Sequence, residues 1–238
     1  DEMPDYIPVT ISGWAPANNK IINASREIFE KLEQVLNVKF AEVDDYNASN
    51  VIAISQSTQT STAGLSYFPN AFYKLGSDVF ISKNYSNPSF ITNKLTNYDY
   101  EVLVHEIGHS LGLKHPFESD GNNTVVLSFI EDSTNHTAMS YDDYSFSFDG
   151  VFRALDWMAL TKLYDVNVLY ASGDDTYKFS QTEGIFIIDG TGIDTIECEN
   201  SSLDEVVDLR QGAKRDEGSK WTYITEANQL EISHGAEI

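Results

Sequence analysis

His105-Glu106-Ile107-Gly108-His109-Ser110-Leu111-Gly112-Leu113-Lys114-His115 is the stretch from which the fold and the chemistry of this chain are read. It has the form HExxHxxGxxH, and each fixed position has a physical task. On a helix, residues four apart share a face, so His105 and His109 aim their imidazoles at one point. Glu106 lies one step round, within reach of a water held at that point without itself being a ligand. Gly112 lets the backbone leave the helix through a left-handed or otherwise strained turn, which returns His115 as a third nitrogen. Three protein ligands with one open position make a catalytic zinc site, whereas four close a structural one. Three of the five histidines fall in this one run, and a helix carrying histidines by accident does not explain that crowding.

The motif and its continuation resemble the metzincin metallopeptidases. Thr137-Ala138-Met139-Ser140-Tyr141 has the form of their Met-turn. Pro116 directly after the third histidine, together with Met-Ser-Tyr, is most similar to the serralysin branch; astacins share the tyrosine but usually carry Glu after that histidine. The resemblance implies that Met139 forms an apolar floor beneath the zinc. It also implies that Tyr141 is a resting-state zinc ligand that swings away to stabilise an oxyanion. The fold it implies is α+β: a metzincin catalytic domain over residues 1–167, with a mixed, mostly parallel twisted sheet, an active-site helix and a C-terminal helix. A small calcium-binding β-rich module over 168–238, resembling the start of a β-roll, is expected to follow.

Composition narrows the function classes. The chain has 238 residues, 41% of them hydrophobic, enough to bury a large core. A net charge of −22 argues against nucleic acid and anionic membranes as partners and leaves many carboxylates available for calcium. Apolar runs such as Val125-Val126-Leu127 are far too short to span a bilayer. The N-terminal Asp1-Glu2-Met3-Pro4 is acidic with no apolar h-region, so no signal peptide is read there. Similarity to serralysins, which are exported by a C-terminal signal, implies a secreted, extracellular protein. The lone Cys198 excludes an internal disulfide and a cysteine-based zinc site. A monomer is expected.

Taken in order, Tyr6 to Ser12 reads as a first strand and Lys20 to Leu36 as an amphipathic helix with Ile21, Ile28, Leu32, Val35 and Leu36 on one stripe. Val38 to Val43 alternates like a strand, Asp44 to Asn50 is a turn, and Val51 to Ile54 and Asp78 to Ser82 are strands. Ala63 to Pro69 resembles the edge strand of the serralysin cleft, where an extended protein or peptide substrate would pair. The zinc helix begins near Asn97 to Asp99, either of which could cap it, and Val104, Ile107 and Leu111 form its core face. Phe117 to His136 is mostly loop, with His136 at the surface rather than on the metal. Phe152 to Tyr164 is a second helix. From about Val168 the texture shifts to Gly, Asp and Thr between short strands.

Asp189-Gly190-Thr191-Gly192-Ile193-Asp194-Thr195-Ile196-Glu197 is close to the nonapeptide calcium repeat GGxGxDxUx, with Asp in place of the first Gly. Gly173 to Phe179 resembles the segment that pairs with it. The resemblance implies calcium ligands from the backbone oxygens of Ala171, Gly173, Asp175 and Thr191 and the carboxylates of Asp189 and Asp194. Serralysins normally continue into several perfect repeats, and this sequence holds one imperfect copy.

The function these observations imply is that of a secreted zinc endopeptidase with Glu106 as general base and Tyr141 as oxyanion donor. Two alternatives stand beside it. One is a catalytically silent metzincin-like protein that grips peptides or a surface layer; the other is an astacin-like metzincin, which would lack the calcium region.

Overall fold

Helix α1 (Asn19–Val35) sets the scaffold because its apolar residues recur every third or fourth position. Ile21, Ala24, Ile28, Leu32 and Val35 are buried along one stripe. Asn18 caps it, its side-chain oxygen accepting from the N–H groups of Lys20 and Ile21 at 2.9 and 3.1 Å. The computed structural model describes residues 11–45, 50–59, 61–84, 97–119, 121, 123–129, 131–142, 151–180, 185–199, 207, 209–211 and 230–237.

Against α1 and its neighbours lies a four-stranded sheet of β1 (Ala15–Pro16), β2 (Ile54–Ser57), β3 (Gly64–Ser66) and β4 (Val79–Ser82) in the order β1-β2-β4-β3. All four residues of β4 are buried, the apolar run Val79-Phe80-Ile81 as an inner strand requires and Ser82 with it. β2 and β4 are parallel, in register Ile54↔Val79; β1–β2 and β3–β4 are antiparallel. The sheet is therefore mixed, as expected, but among the described residues only one of its three pairings is parallel, not most of them. β3 is its edge.

Helix α2 (Asn97–Ser110) packs against β3, β4 and α1. Leu103, Val104, Ile107 and Leu111 enter the main core with Ala138, Met139, Phe152, Trp157 and Leu160. Helix α3 (Ala154–Tyr164) is tied to α2 by Arg153, whose Nη2 donates to Glu101 Oε2 at 3.0 Å in a largely buried pair. Beyond it, β5 (Thr176–Ser180) pairs in parallel with β7 (Thr195–Glu199), and β6 (Ile185–Ile187) in parallel with β8 (Leu230–Ile232). Phe186 and Ile188 rest on the main core, and Asn167 N–H donates to Val35 O at 2.8 Å.

Several expectations are corrected. Residues 38–43 form no strand. Their alternation is satisfied by packing on α1, with Phe40 against Phe29 at 4.7 Å between ring centres. The strand foreseen at Val51 to Ile54 starts only at Ile54 and continues to Ser57. Ile11 and Ser12 are not strand, while Tyr6 to Thr10 lie outside the described residues. β1, with Pro16 in it, was not foreseen; a proline is tolerated there because the strand lies at the sheet's edge. Asn97 and Asp99 lie inside α2 rather than capping it.

Candidate metal centre

α2 ends where the chain reverses. Gly112 has φ +101°, Gly112 N–H donates to His109 O and Leu113 N–H to Gly108 O, both at 2.9 Å. This pair of bonds is a Schellman closure, which needs a residue without Cβ at its left-handed position. The reversal brings His115 Nε2 to 3.1 Å from both His105 Nε2 and His109 Nε2.

The opposite ring nitrogens settle the tautomers. His105 Nδ1 lies 2.8 Å from Ala138 O and His109 Nδ1 2.7 Å from Leu113 O. A carbonyl can only accept, so each Nδ1 carries the proton and each Nε2 offers a lone pair. Both rings are buried. Loss of solvent, aided by the facing imidazoles, pushes His105 down to about 3 and His109 down to about 4. Lone pairs crowded at 3.1 Å repel unless a cation lies between them. Zinc–nitrogen bonds of about 2.1 Å at tetrahedral angles place nitrogens roughly 3.4 Å apart. The trio, all within 4.8 Å of one another, fits a zinc ion and leaves a corner of its tetrahedron open.

Glu106 is buried beside the trio, and burial pushes its carboxyl up to about 8. Edge strand β3 passes directly over it. A Cβ added at Gly64 would stand 2.4 Å from Glu106 Oε1 and 2.5 Å from its Cγ. The Tyr141 ring stacks on His105 at 5.5 Å and lies 4.7 Å from His115, with most of its surface exposed. Met139 is buried under the helix, and a Cβ on Gly108 would stand 2.6 Å from its Sδ. His105, Glu106, His109, His115, Met139 and Tyr141, all singled out in the sequence, are thus gathered in one place. His136 lies outside the trio. It is half-buried rather than at the surface, its Nδ1 3.1 Å from Ser133 Oγ.

Four residues of the site were not singled out in the sequence. Asp156, buried on α3, accepts from Thr137 Oγ1 at 2.6 Å, Ala138 N–H at 2.7 Å and Arg153 N–H at 2.9 Å. It clamps the Met-turn to the start of α3. Its signal was an acid at the third position of a helix, the place of a capping carboxylate. Phe117 stacks on His115 at 5.1 Å and 7°. Glu118 Oε2 lies 2.9 Å from His115 Nδ1, and Gly64 gives Glu106 its room. The last three announce themselves only once β3 and the turn after His115 are in place.

A second cluster joins β5 to β7. The carboxylates of Asp175, Asp189 and Asp194 come within 4.8 Å of one another. Asp189 is fully buried, Tyr177 donates to its Oδ2, and its Oδ1 has no hydrogen-bond partner; nor has Asp194 Oδ2. Burial and the two neighbouring carboxylates hold Asp189 above the usual carboxylate range. Gly173 O approaches the same turn, 2.2 Å from where a Cβ on Gly192 would be. Ala171 adopts φ +46°, and Thr191 Oγ1 donates to Val168 O at 3.2 Å. Charged oxygens crowded and unpartnered in this way fit a hard cation.

The sequence profile of the matrixin peptidases (peptidase family M10) matches residues 8–146, more than half of the chain. Serralysin of Proteus mirabilis is 28% identical, the match covering 88% of this chain and 50% of that protein. Serralysin G of Dickeya chrysanthemi is 26% identical, covering 91% and 50%. Metallopeptidase AprA of Pseudomonas marginalis is 26% identical, covering 87% and 50%. The chain therefore spans about half the length of the curated relatives it matches. With a profile match that runs across the three-histidine helix and the Met-turn, and relatives aligned over nearly its full length, the chain belongs to the matrixin family and is of serralysin type.

Proposed function

We propose that the chain is a zinc-dependent endopeptidase whose metal is held by His105, His109 and His115. The observation that carries this is the convergence of their Nε2 atoms at 3.1 Å beside the buried carboxyl of Glu106. A zinc ion bound there would supply Lewis acidity and lower the pKa of a water toward about 7. Glu106 takes the proton of the attacking water and later passes it to the leaving amine. Tyr141, its ring resting on His105 and His115, donates to the developing oxyanion and serves as a fourth ligand at rest. An extended peptide pairs with the free edge of β3, which places its backbone over Glu106.

Asp189 and Asp194, with carbonyls of Ala171, Gly173, Asp175 and Thr191, bind a structural calcium ion. Residues 1–167 then form the catalytic domain and 168–238 the module that calcium stiffens. The serralysin likeness and the −22 charge support a secreted monomer.

The deciding experiment replaces Glu106 by Gln. Casein or peptide cleavage should fall by roughly 100- to 10,000-fold while zinc stoichiometry stays at that of the wild type. Cleavage at the wild-type rate removes Glu106 from the role of base. No cleavage by zinc-loaded wild type leaves a peptide-gripping protein instead.

A further inference from the structure

The three histidines are not held alike. His105 and His109 give their Nδ1 protons to backbone carbonyls, Ala138 O and Leu113 O, which the fold fixes in place. His115 has no carbonyl. Its Nδ1 is buried and makes no hydrogen bond, yet Glu118 Oε2 stands 2.9 Å away, off the N–H line. The Glu118 side chain is 58% exposed against 15% for His115, so it is free to rotate into line.

The local turn delivers Glu118 to that position. Glu118 N–H donates to His115 O at 3.3 Å, and Lys114 Nζ bonds to the backbone oxygens of both His115 and Glu118. Phe117 meanwhile covers one face of the His115 ring, nearly parallel to it. Residues 114–118 thus form a small clamp around one imidazole, with its own charged acceptor.

We infer that Glu118 is the positioning residue for the third zinc ligand and sets how firmly the metal is held. This rests on the zinc site proposed above. A carboxylate that accepts from Nδ1 fixes the ring's tautomer and orientation and makes Nε2 a stronger donor; loss of such a partner typically costs 10- to 100-fold in metal affinity. Because this acceptor is a solvent-facing side chain and the other two are backbone, His115 is the arm from which zinc is released first.

The test is a chelator competition on the full chain, reading zinc dissociation constant and release rate for Glu118→Ala, Glu118→Gln and Glu42→Ala. Glu42, exposed beside Arg26, controls for the loss of one negative charge. Glu118→Ala should weaken zinc by about 10- to 100-fold and speed its release. Glu118→Gln, which keeps an accepting oxygen, should recover most of that loss, and Glu42→Ala should match wild type. An Ala variant within twofold of wild type overturns the inference, as does an equal loss in Glu42→Ala. A wild type that binds no zinc defeats the peptidase proposal itself, which is a distinguishable result.

Discussion

At the scale of single residues, Glu106 and the buried histidines are opposed in how they respond to protons. Glu106 rises from 4.5 to about 8, so between those values the folded, metal-free protein keeps a proton that the unfolded chain has released. Its stability then falls as pH rises through that window. His105 and His109 drop from 6.5 to about 3 and about 4. Below 6.5 the unfolded chain takes up protons that these rings refuse, so stability falls as pH falls. For these three groups the optimum lies near pH 6.5. Thermal melts of the metal-free protein should show a decline from pH 6.5 to 8 that vanishes in Glu106→Gln, a residue with no proton to lose. An unchanged decline in that variant contradicts the assignment. The convergence of His105, His109 and His115 was legible in the sequence because four-residue spacing and a glycine turn are local rules. Glu118 and Gly64 were not, since each gains its meaning from a neighbour that only the folded chain supplies.

Between elements, the joint that matters is the Met-turn against α2 and α3. Asp156 receives three hydrogen bonds there, two from the turn itself. Asp156→Ala leaves these buried donors without an acceptor and should cost about 3 kcal/mol, lowering Tm by on the order of 8 °C. Asp156→Asn, which keeps one accepting oxygen, should lose less, and calorimetry compares the two. Gly108→Ala drives a methyl into Met139 Sδ; overpacking there should cost roughly 1–3 kcal/mol and depress cleavage more than zinc binding. Equal cleavage in wild type and Gly108→Ala would show that the floor tolerates displacement. Helices were the elements best read from the sequence, α1 and α3 to within two residues at either end, and α1 most clearly because its apolar stripe repeats over several turns. Strands of two to four residues hold too few alternations for that. Residues 38–43 alternate for a different reason, the packing of Val38 and Phe40 against the core.

Across the whole molecule, the acidic chain concentrates three carboxylates where β5 and β7 meet. Calcium at 100 times its dissociation constant should add about 2.7 kcal/mol, seen as a higher Tm. Asp189→Asn should abolish that rise, and a Tm indifferent to calcium removes the ion from the fold. The Gly/Asp repeat marked this turn in the sequence. The pairing of β6 with β8 was not marked, since residues this far apart in sequence carry no local pattern for one another.

The three converging ring nitrogens come from eleven consecutive residues, whereas Met139 and the Ala138 carbonyl arrive from a segment more than twenty positions later. Closing so short a ring costs little chain entropy. The part of the proposed site that would grip an ion is thus written locally, whereas its floor and one of its ring-orienting carbonyls depend on a later segment docking beneath α2.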